Sequence, residues 1–406
     1  MSRVVEVTLR AIVDSRGSPT VEAEVTDADG HRGRAGAPSG ASTGTHEVLA
    51  LPEGGVPAAL DRFRTDVRPA LLGRELSDAP GWDAALHRAD GDDEFRRIGG
   101  GVATALSIAA AIARARAAGV PLWRSWLRPG LDGSGRPMIV GNCLNGGRHA
   151  IGGPEFQEYH AISSAPNPAD AVRAAIAVHR RVGEALTEKF PKLALGRGDE
   201  GGWVAPLGSL EALELLSQAC EAVRDETHLP VHPGLDLAAS EFFSDGQYRY
   251  RDRNLDPDGQ LAFLVELVDK FGLKYMEDPF EEEAFDSFAA FTKAVGGKLL
   301  VVGDDLYTTG LARLERGIAE KSTNSVLIKV NQVGTLTDTF ATVDRARAAG
   351  WSTIASHRSG DLPEGWLSHF AIGTGARGLK CGLLGGERVA KLNELLRLAA
   401  PAQTSP

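Results

Sequence analysis

In the C-terminal two-thirds of the chain, short apolar runs repeatedly end in residues that carry charge or exchange protons. Phe156 is followed by Gln157 and Glu158, Leu235 by Asp236, Met276 by Glu277 and Asp278, and Gly303 by Asp304 and Asp305. Ile328 leads to Lys329, Ala355 to Ser356-His357-Arg358-Ser359, and Leu379 to Lys380. A single acid after a strand is ordinarily a helix cap or a turn residue. A set converging on one concave mouth is different, because carboxylates held together there repel one another unless a cation lies between them. Oxygen ligands supplied by separate strands suit Mg²⁺, a hard ion. Lysines beside other cations in such a site have depressed pKa values and can serve as bases. A Gly-rich acidic loop, Gly198-Asp199-Glu200-Gly201-Gly202, adds another carboxyl group. Gly196, Gly198 and Gly201 match G-x-G-x-x-G only by accident, since Asp199 and Glu200 would repel a pyrophosphate. The loop Ser39–Thr45 is not a P-loop, because no Gly-Lys-Ser/Thr follows.

The elements that must position these residues follow from the pattern. Apolar runs at Met138–Leu144, Phe156–Ile162, Gly234–Ala238, Lys274–Met276, Leu299–Val302, Ser325–Val330, Thr353–Ala355 and Gly378–Lys380 alternate with amphipathic stretches at 168–188, 208–225, 258–271, 310–320 and 334–349. Eight strands with intervening helices predict a closed α/β barrel with catalytic groups at the strand C-termini. Its start is irregular: no helix separates the first two strands, and two helices follow the second. Upstream, strands are predicted at Val4–Val13 and Thr20–Val25 around a turn at 14–19, and a helix at 99–118 whose Ala and Gly content predicts close packing on a sheet. The Pro- and Gly-rich stretch 128–136 predicts a boundary between a domain at 1–128 and a barrel at 137–398.

Composition narrows the function. The 406 residues include 43% hydrophobic and 24% charged residues, enough for a sizeable core. The net charge of −10 argues against non-specific nucleic-acid binding and against anionic membrane surfaces. Three widely spaced cysteines, Cys143, Cys220 and Cys381, form no CxxC pair and point to a reducing, cytoplasmic setting without disulfides or zinc. The N-terminus lacks the apolar core of a signal peptide, and no membrane-spanning run is present.

Taken in order, Asp14-Ser15-Arg16-Gly17, Pro38-Ser39-Gly40-Ala41-Ser42-Thr43-Gly44, Asn145-Gly146-Gly147, Gly198-Asp199-Glu200-Gly201-Gly202, Glu277-Asp278-Pro279-Phe280, Lys329-Val330-Asn331-Gln332 and Ser356-His357-Arg358-Ser359-Gly360 resemble the signatures of the enolase family over residues 4 to 397. The resemblance implies an α/β fold: an enolase-type eight-stranded α/β barrel with an N-terminal α+β capping domain. It implies a Mg²⁺-dependent lyase that removes the proton alpha to a carboxylate and eliminates water, with two Mg²⁺ ions per active site and a lysine base. By motif, Asp236, Glu277 and Asp304 would hold the main Mg²⁺, and Ser42 would help hold a second. Lys329 would be the base and Glu200 the acid, supported by Glu158. Lys380 would bind the substrate carboxylate, Arg358 and Ser359 the phosphate, and Gln157, His149 and His357 would line the pocket. The family also implies a homodimer or higher homo-oligomer and a small anionic substrate with a carboxylate and a phosphorus group.

Some segments depart from the family pattern: Ala150–Phe156 after His149, Trp203 in place of a Phe, Asp361-Leu362-Pro363-Glu364, and Cys381–Gly386 after Lys380. These keep two further readings open. One is a specialised relative resembling carboxyphosphonoenolpyruvate synthase of phosphonate or phosphinate antibiotic biosynthesis, which would turn over 2-phosphoglycerate poorly. The other is a non-catalytic binding protein on the same scaffold, against which retention of both lysines, the metal carboxylates and Glu200 speaks.

Overall fold

All eight apolar runs become strands of one closed barrel in the computed structural model, which describes residues 2–41, 44–150 and 152–400. In chain order the barrel strands are Met138–Asn145, Glu158–Ser163, Val231–Asp236, Tyr275–Glu277, Leu300–Gly303, Ser325–Ile328, Ser352–Ser356 and Gly378–Gly382. The eighth pairs back onto the first through Gly378–Gly382 against Met138–Asn142. The second strand is antiparallel to both neighbours, whereas the other neighbouring pairs run parallel.

The irregular start has a simple cause. Residues 146–157 form a short connection without a full helical crossover, so the second strand must return antiparallel. The helices Pro168–Lys189 and Ser209–Thr227 then carry the chain up and down once more before the third strand. Their connecting loop is thereby delivered to the barrel mouth, and Glu200 with it. Reversal also corrects the reading of Glu158, which opens its strand instead of following an apolar run; Phe156 and Gln157 precede the strand. In register, Glu158 faces Asp236, and Asp236 faces Glu277. Three carboxylates therefore stand side by side on adjacent strands.

Below the mouth, Met138, Val140, Ile162, Tyr275, Val302, Leu327 and Ile354 fill the barrel as a separate apolar cluster. This layer closes the site from beneath, as alternating inward residues of a small barrel do. The third strand runs Val231–Asp236 instead of Gly234–Ala238, and Ala238 has already turned to a φ of 47°.

The N-terminal part is a three-stranded antiparallel sheet, Val4–Val13, Pro19–Asp27 and Arg32–Gly36. Its third strand, Arg-Gly-Arg-Ala-Gly, has no apolar run to betray it. The buried helix Gly100–Ala117 packs across the second and third strands. A Cβ at Gly33 would lie 1.9 Å from the Ala109 carbonyl oxygen, so helix and strand meet at backbone contact. Residues 126–137 contain no helix or strand. The sheet's loops reach the barrel mouth: Ser39 and Gly360 exchange backbone hydrogen bonds of 2.7 and 2.9 Å, and Ser39 Oγ donates to Asp14 at 2.5 Å. Among the described residues, no helix is long and apolar enough to cross a membrane.

Candidate active site

At the mouth, the ends of the third to fifth strands present Asp236, Glu277 and Asp304, all buried. Lys380, from the eighth strand, reaches into this group. Its Nζ lies 2.9 Å from Asp236 Oδ2, 2.8 Å from Glu277 Oε1 and 3.2 Å from Glu158 Oε1. Burial favours a neutral lysine, but these carboxylates outweigh it and raise the Lys380 pKa well above its ordinary value. Burial, with Asp236 beside it, pushes Glu277 up to about 8, and Tyr275 donates its hydroxyl to the same carboxyl group.

Lys329 forms an ion pair with Asp304. Burial again opposes the charge, and Asp304 overcomes it, so the Lys329 pKa is raised. This corrects the sequence expectation of a depressed lysine. Cationic neighbours press on Lys329, but its nearest partner is an anion, and that contact decides the sign. A divalent ion taking up the charge of Asp304 would weaken the contact that holds the proton on Lys329.

The three expected ligands fit a hard dication by donor type: buried carboxylates on successive strands, with no sulfur or imidazole among them. Among the described residues, the groups whose candidate ligand atoms lie within 4.8 Å of one another are Asp278/Asp304/Asp305, His149/Glu158/Glu200 and Asp27/Asp29/His31. The Asp236/Glu277/Asp304 trio is not among them; Asp236 and Glu277 pair with Lys380, and Asp304 pairs with Lys329. Asp278 is committed elsewhere: its carboxylate accepts from the Asp304 and Asp305 amides at 3.0 and 2.8 Å. Ser42, expected at a second ion, lies outside the described residues.

Beside this cluster is a carboxyl pair. Asn142 Nδ2 donates to Glu158 Oε2 at 2.9 Å and to Glu200 Oε2 at 3.2 Å. His357 Nε2 lies 3.0 Å from Glu200 Oε2, and His149 Nδ1 lies 3.8 and 4.0 Å from Glu158 and Glu200. Burial penalises both charges. His357 and His149 nonetheless hold Glu200 well below the usual carboxylate range, while burial and Glu200 raise Glu158 well above it. Two buried carboxyl groups so placed titrate as a coupled unit, Glu158 holding its proton more tightly than Glu200. The Glu200 loop comes this close because of Gly382, where a Cβ would lie 2.1 Å from the Glu200 carbonyl oxygen.

The rest of the mouth is continuous with these two groups. Gln157 Nε2 donates to Asp236 at 3.4 Å. Arg358 makes a two-pronged pair with Glu47, at 2.8 and 3.1 Å, and Ser359 Oγ accepts from the Ala41 amide at 2.5 Å. Gln332 Nε2 bridges Glu47 at 3.2 Å and Asp304 at 3.0 Å. Apart from Ser42, every site residue expected from the sequence is therefore at this mouth.

Sequence reasoning missed Asn142, Glu47, Gln332, Tyr275, His160 and Arg388. Gln332 lies within a motif already singled out, yet nothing distinguished it from its neighbours. Glu47 stands three residues after the Gly-rich loop, an available but weak signal. His160 is fully buried 3.6 Å from Glu158, and burial holds its pKa well below the ordinary imidazole value. Nothing in an apolar strand marks it in advance.

Comparison with known proteins agrees with this architecture. The family model for the enolase N-terminal domain matches residues 4–125, and that for the enolase C-terminal TIM barrel domain matches residues 135–403. The chain is 43% identical to the enolase of Natronomonas pharaonis over 404 residues, covering 99% of this chain and all of that protein. It is 43% identical to the enolase of Halobacterium salinarum with the same coverage, and 40% identical to that of Thermoplasma acidophilum over 97% of each chain. These relatives do not favour the phosphinate-pathway specialist or the non-catalytic scaffold. Two domain matches in the family's order, with full-length relatives sharing two-fifths of its residues, make this chain a member of the enolase family.

Proposed function

We propose that the protein is a hydro-lyase that dehydrates 2-phosphoglycerate to phosphoenolpyruvate, the enolase reaction of glycolysis. The observation that carries the reading is the placement of base and acid across the barrel. Lys329 follows the sixth strand, while Glu158 opens the second, four strands away around a closed ring of eight. Glu200 joins Glu158 through Asn142. A substrate held between them is attacked at one face and relieved of its leaving group at the other.

In this reading Lys329 takes the proton alpha to the carboxylate. The Glu158–Glu200 pair delivers a proton to the departing hydroxyl, which leaves as water. Lys380 sets a positive charge beside the substrate carboxylate, and Arg358 with Ser359 receives the phosphate. Gln157, His149 and His357 line the cavity. Asp236, Glu277 and Asp304 are the residues that would hold Mg²⁺, with Ser42 contributing to a second ion. Mg²⁺ supplies the charge that lets a carboxylate accept electrons from the broken C–H bond. Residues 1–128 act as the cap and 137–398 as the barrel. The family name and the three free, buried cysteines support a cytoplasmic homo-oligomer, in its simplest form a dimer.

The decisive assay is conversion of 2-phosphoglycerate with Mg²⁺ present, followed by the absorbance of the enolic product. A kcat/KM of roughly 10⁵ M⁻¹s⁻¹ or more is expected. Absence of turnover would overturn the proposal and would restore the altered-substrate reading of the loops at 150–156, 361–364 and 381–386.

A further inference from the structure

We propose that Arg388 is a positioning residue: it fixes His357 as the tautomer with its proton on Nε2, the ring nitrogen that lies beside Glu200. This rests on the reading of Glu158 and Glu200 as the acid half of the site. Arg388, in the last helix, is fully buried although it carries a charge. Its Nη1 lies 2.9 Å from His357 Nδ1, and the Gly382 amide donates to the same nitrogen at 3.3 Å. A guanidinium and a backbone N–H can only donate, so Nδ1 must offer its lone pair. The single proton of a neutral imidazole then resides on Nε2, 3.0 Å from Glu200 Oε2. Burial, with Arg388 adding to it, pushes the His357 pKa down to about 4, so the ring is neutral at ordinary pH.

The remaining contacts of Arg388 show why a lysine or an amide would not do. Nη2 donates to the Asp199 and Ser359 carbonyls at 3.0 and 2.7 Å, and Nη1 also reaches the Arg358 carbonyl. One rigid fork thus touches the loop before Glu200, the loop that carries Arg358 and Ser359, and the His357 ring. Its charge is balanced by Asp361, 3.3 Å away, which also pairs with Lys391 at 3.0 Å. Without Arg388, only the longer Gly382 N–H contact at 3.3 Å still favours a lone pair on Nδ1, and the other tautomer, which presents a lone pair to Glu200, gains population. Proton delivery to the leaving group would then suffer, whereas proton removal by Lys329 would not.

The test compares wild type, Arg388→Met, His357→Gln and the double variant in the full-length enzyme with Mg²⁺ and 2-phosphoglycerate. Exchange of the alpha proton with solvent deuterium and elimination are measured separately, and ¹⁵N-histidine spectra report the His357 tautomer, assigned by its loss in His357→Gln. Arg388→Met should lower elimination by about tenfold or more with exchange retained within roughly threefold, and it should add nothing to His357→Gln. Its spectrum should lose the Nε2-protonated signature present in wild type. Equal losses of exchange and elimination, or an unchanged tautomer in Arg388→Met, would overturn the assignment. If Arg388→Met does not fold, the wild-type spectrum decides, since a ring protonated on Nδ1 refutes the proposal. If wild type neither exchanges nor eliminates, the functional reading fails, and the nitrogen spectra alone judge Arg388.

Discussion

On one side of the mouth Asp236, Glu277 and Asp304 face the ammonium groups of Lys380 and Lys329. On the other, Glu158 and Glu200 share the Asn142 amide and stand near His149 and His357. Both sides bury several carboxyl groups within a few ångströms of one another. The first sets two lysine ammonium groups among its carboxylates, with Glu277 pushed up to about 8, whereas the second sets imidazoles and an amide beside its carboxyl pair, with Glu158 raised and Glu200 lowered. The Lys380 ammonium, shared by Asp236, Glu277 and Glu158, is the joint between them. The difference matches the chemistry each side is proposed to perform. A site that must stabilise developing negative charge needs fixed cations, and a site that must donate a proton needs one held but transferable.

The strongest way to break this comparison is to remove a carboxylate from the cationic side. Asp236→Ala should lower kcat by roughly 10³-fold or more, the several kcal/mol that metal-assisted charge stabilisation supplies, and weaken Mg²⁺ binding measured by calorimetry. The fold should survive, because Lys380 keeps Glu277 and Glu158 as partners. Full activity of the wild type in excess chelator would show that this side does not need a divalent ion.

Separating the two half-reactions sharpens it next. Lys329→Ala should abolish alpha-proton exchange and elimination together, by about 10²- to 10⁴-fold, and Glu200→Gln should stop elimination while sparing part of the exchange. Wild-type exchange in Lys329→Ala would move the base to another residue.

A smaller effect is expected where the N-terminal part meets the barrel. Glu47 orients the Arg358 guanidinium and is tied through Gln332 to Asp304. Glu47→Gln should raise KM for 2-phosphoglycerate by about tenfold with a lesser change in kcat, since an amide cannot match two-pronged pairing. A change confined to kcat would mean that Glu47 acts on the reacting centre through Asp304.

The smallest effect is on stability against pH. Glu158 has a raised pKa in the folded state, so its contribution is present below the unfolded value and is lost as pH rises through the folded one. Glu200 is depressed, so its contribution is present above the unfolded value and is lost as pH falls through the folded one. Glu158→Gln should therefore raise Tm relative to wild type more at alkaline than at acid pH, and Glu200→Gln should lower it at neutral pH, each by about 1–3 °C. Shifts of the same sign for both variants at neutral pH would show that the pair does not divide its charge in this way.

Hydrophobic periodicity determined the eight strands, the principal barrel helices and the irregular start, because apolar runs are a local record of which backbone faces a core. Residue chemistry at the run ends pointed to Asp236, Glu277, Asp304, Lys329 and Lys380 at one mouth, since a lysine or a carboxylate after a buried strand has few other places to go in a barrel, whereas Glu158 opens its strand and Glu200 arrives on a loop. Local pattern could not reveal Arg32–Gly36, a strand against which a helix packs at Gly33. The sign of the Lys329 pKa was likewise beyond the sequence, because it depends on whether the nearest neighbour across the barrel is Asp304 or another cation. Which carboxyl of the pair holds its proton more tightly, and which nitrogen of His357 carries its hydrogen, were decided only by contacts between segments far apart in the chain: His357 with Glu200, and Arg388 with His357. Proton positions follow from distances of a few ångströms, and only the closed barrel sets those distances.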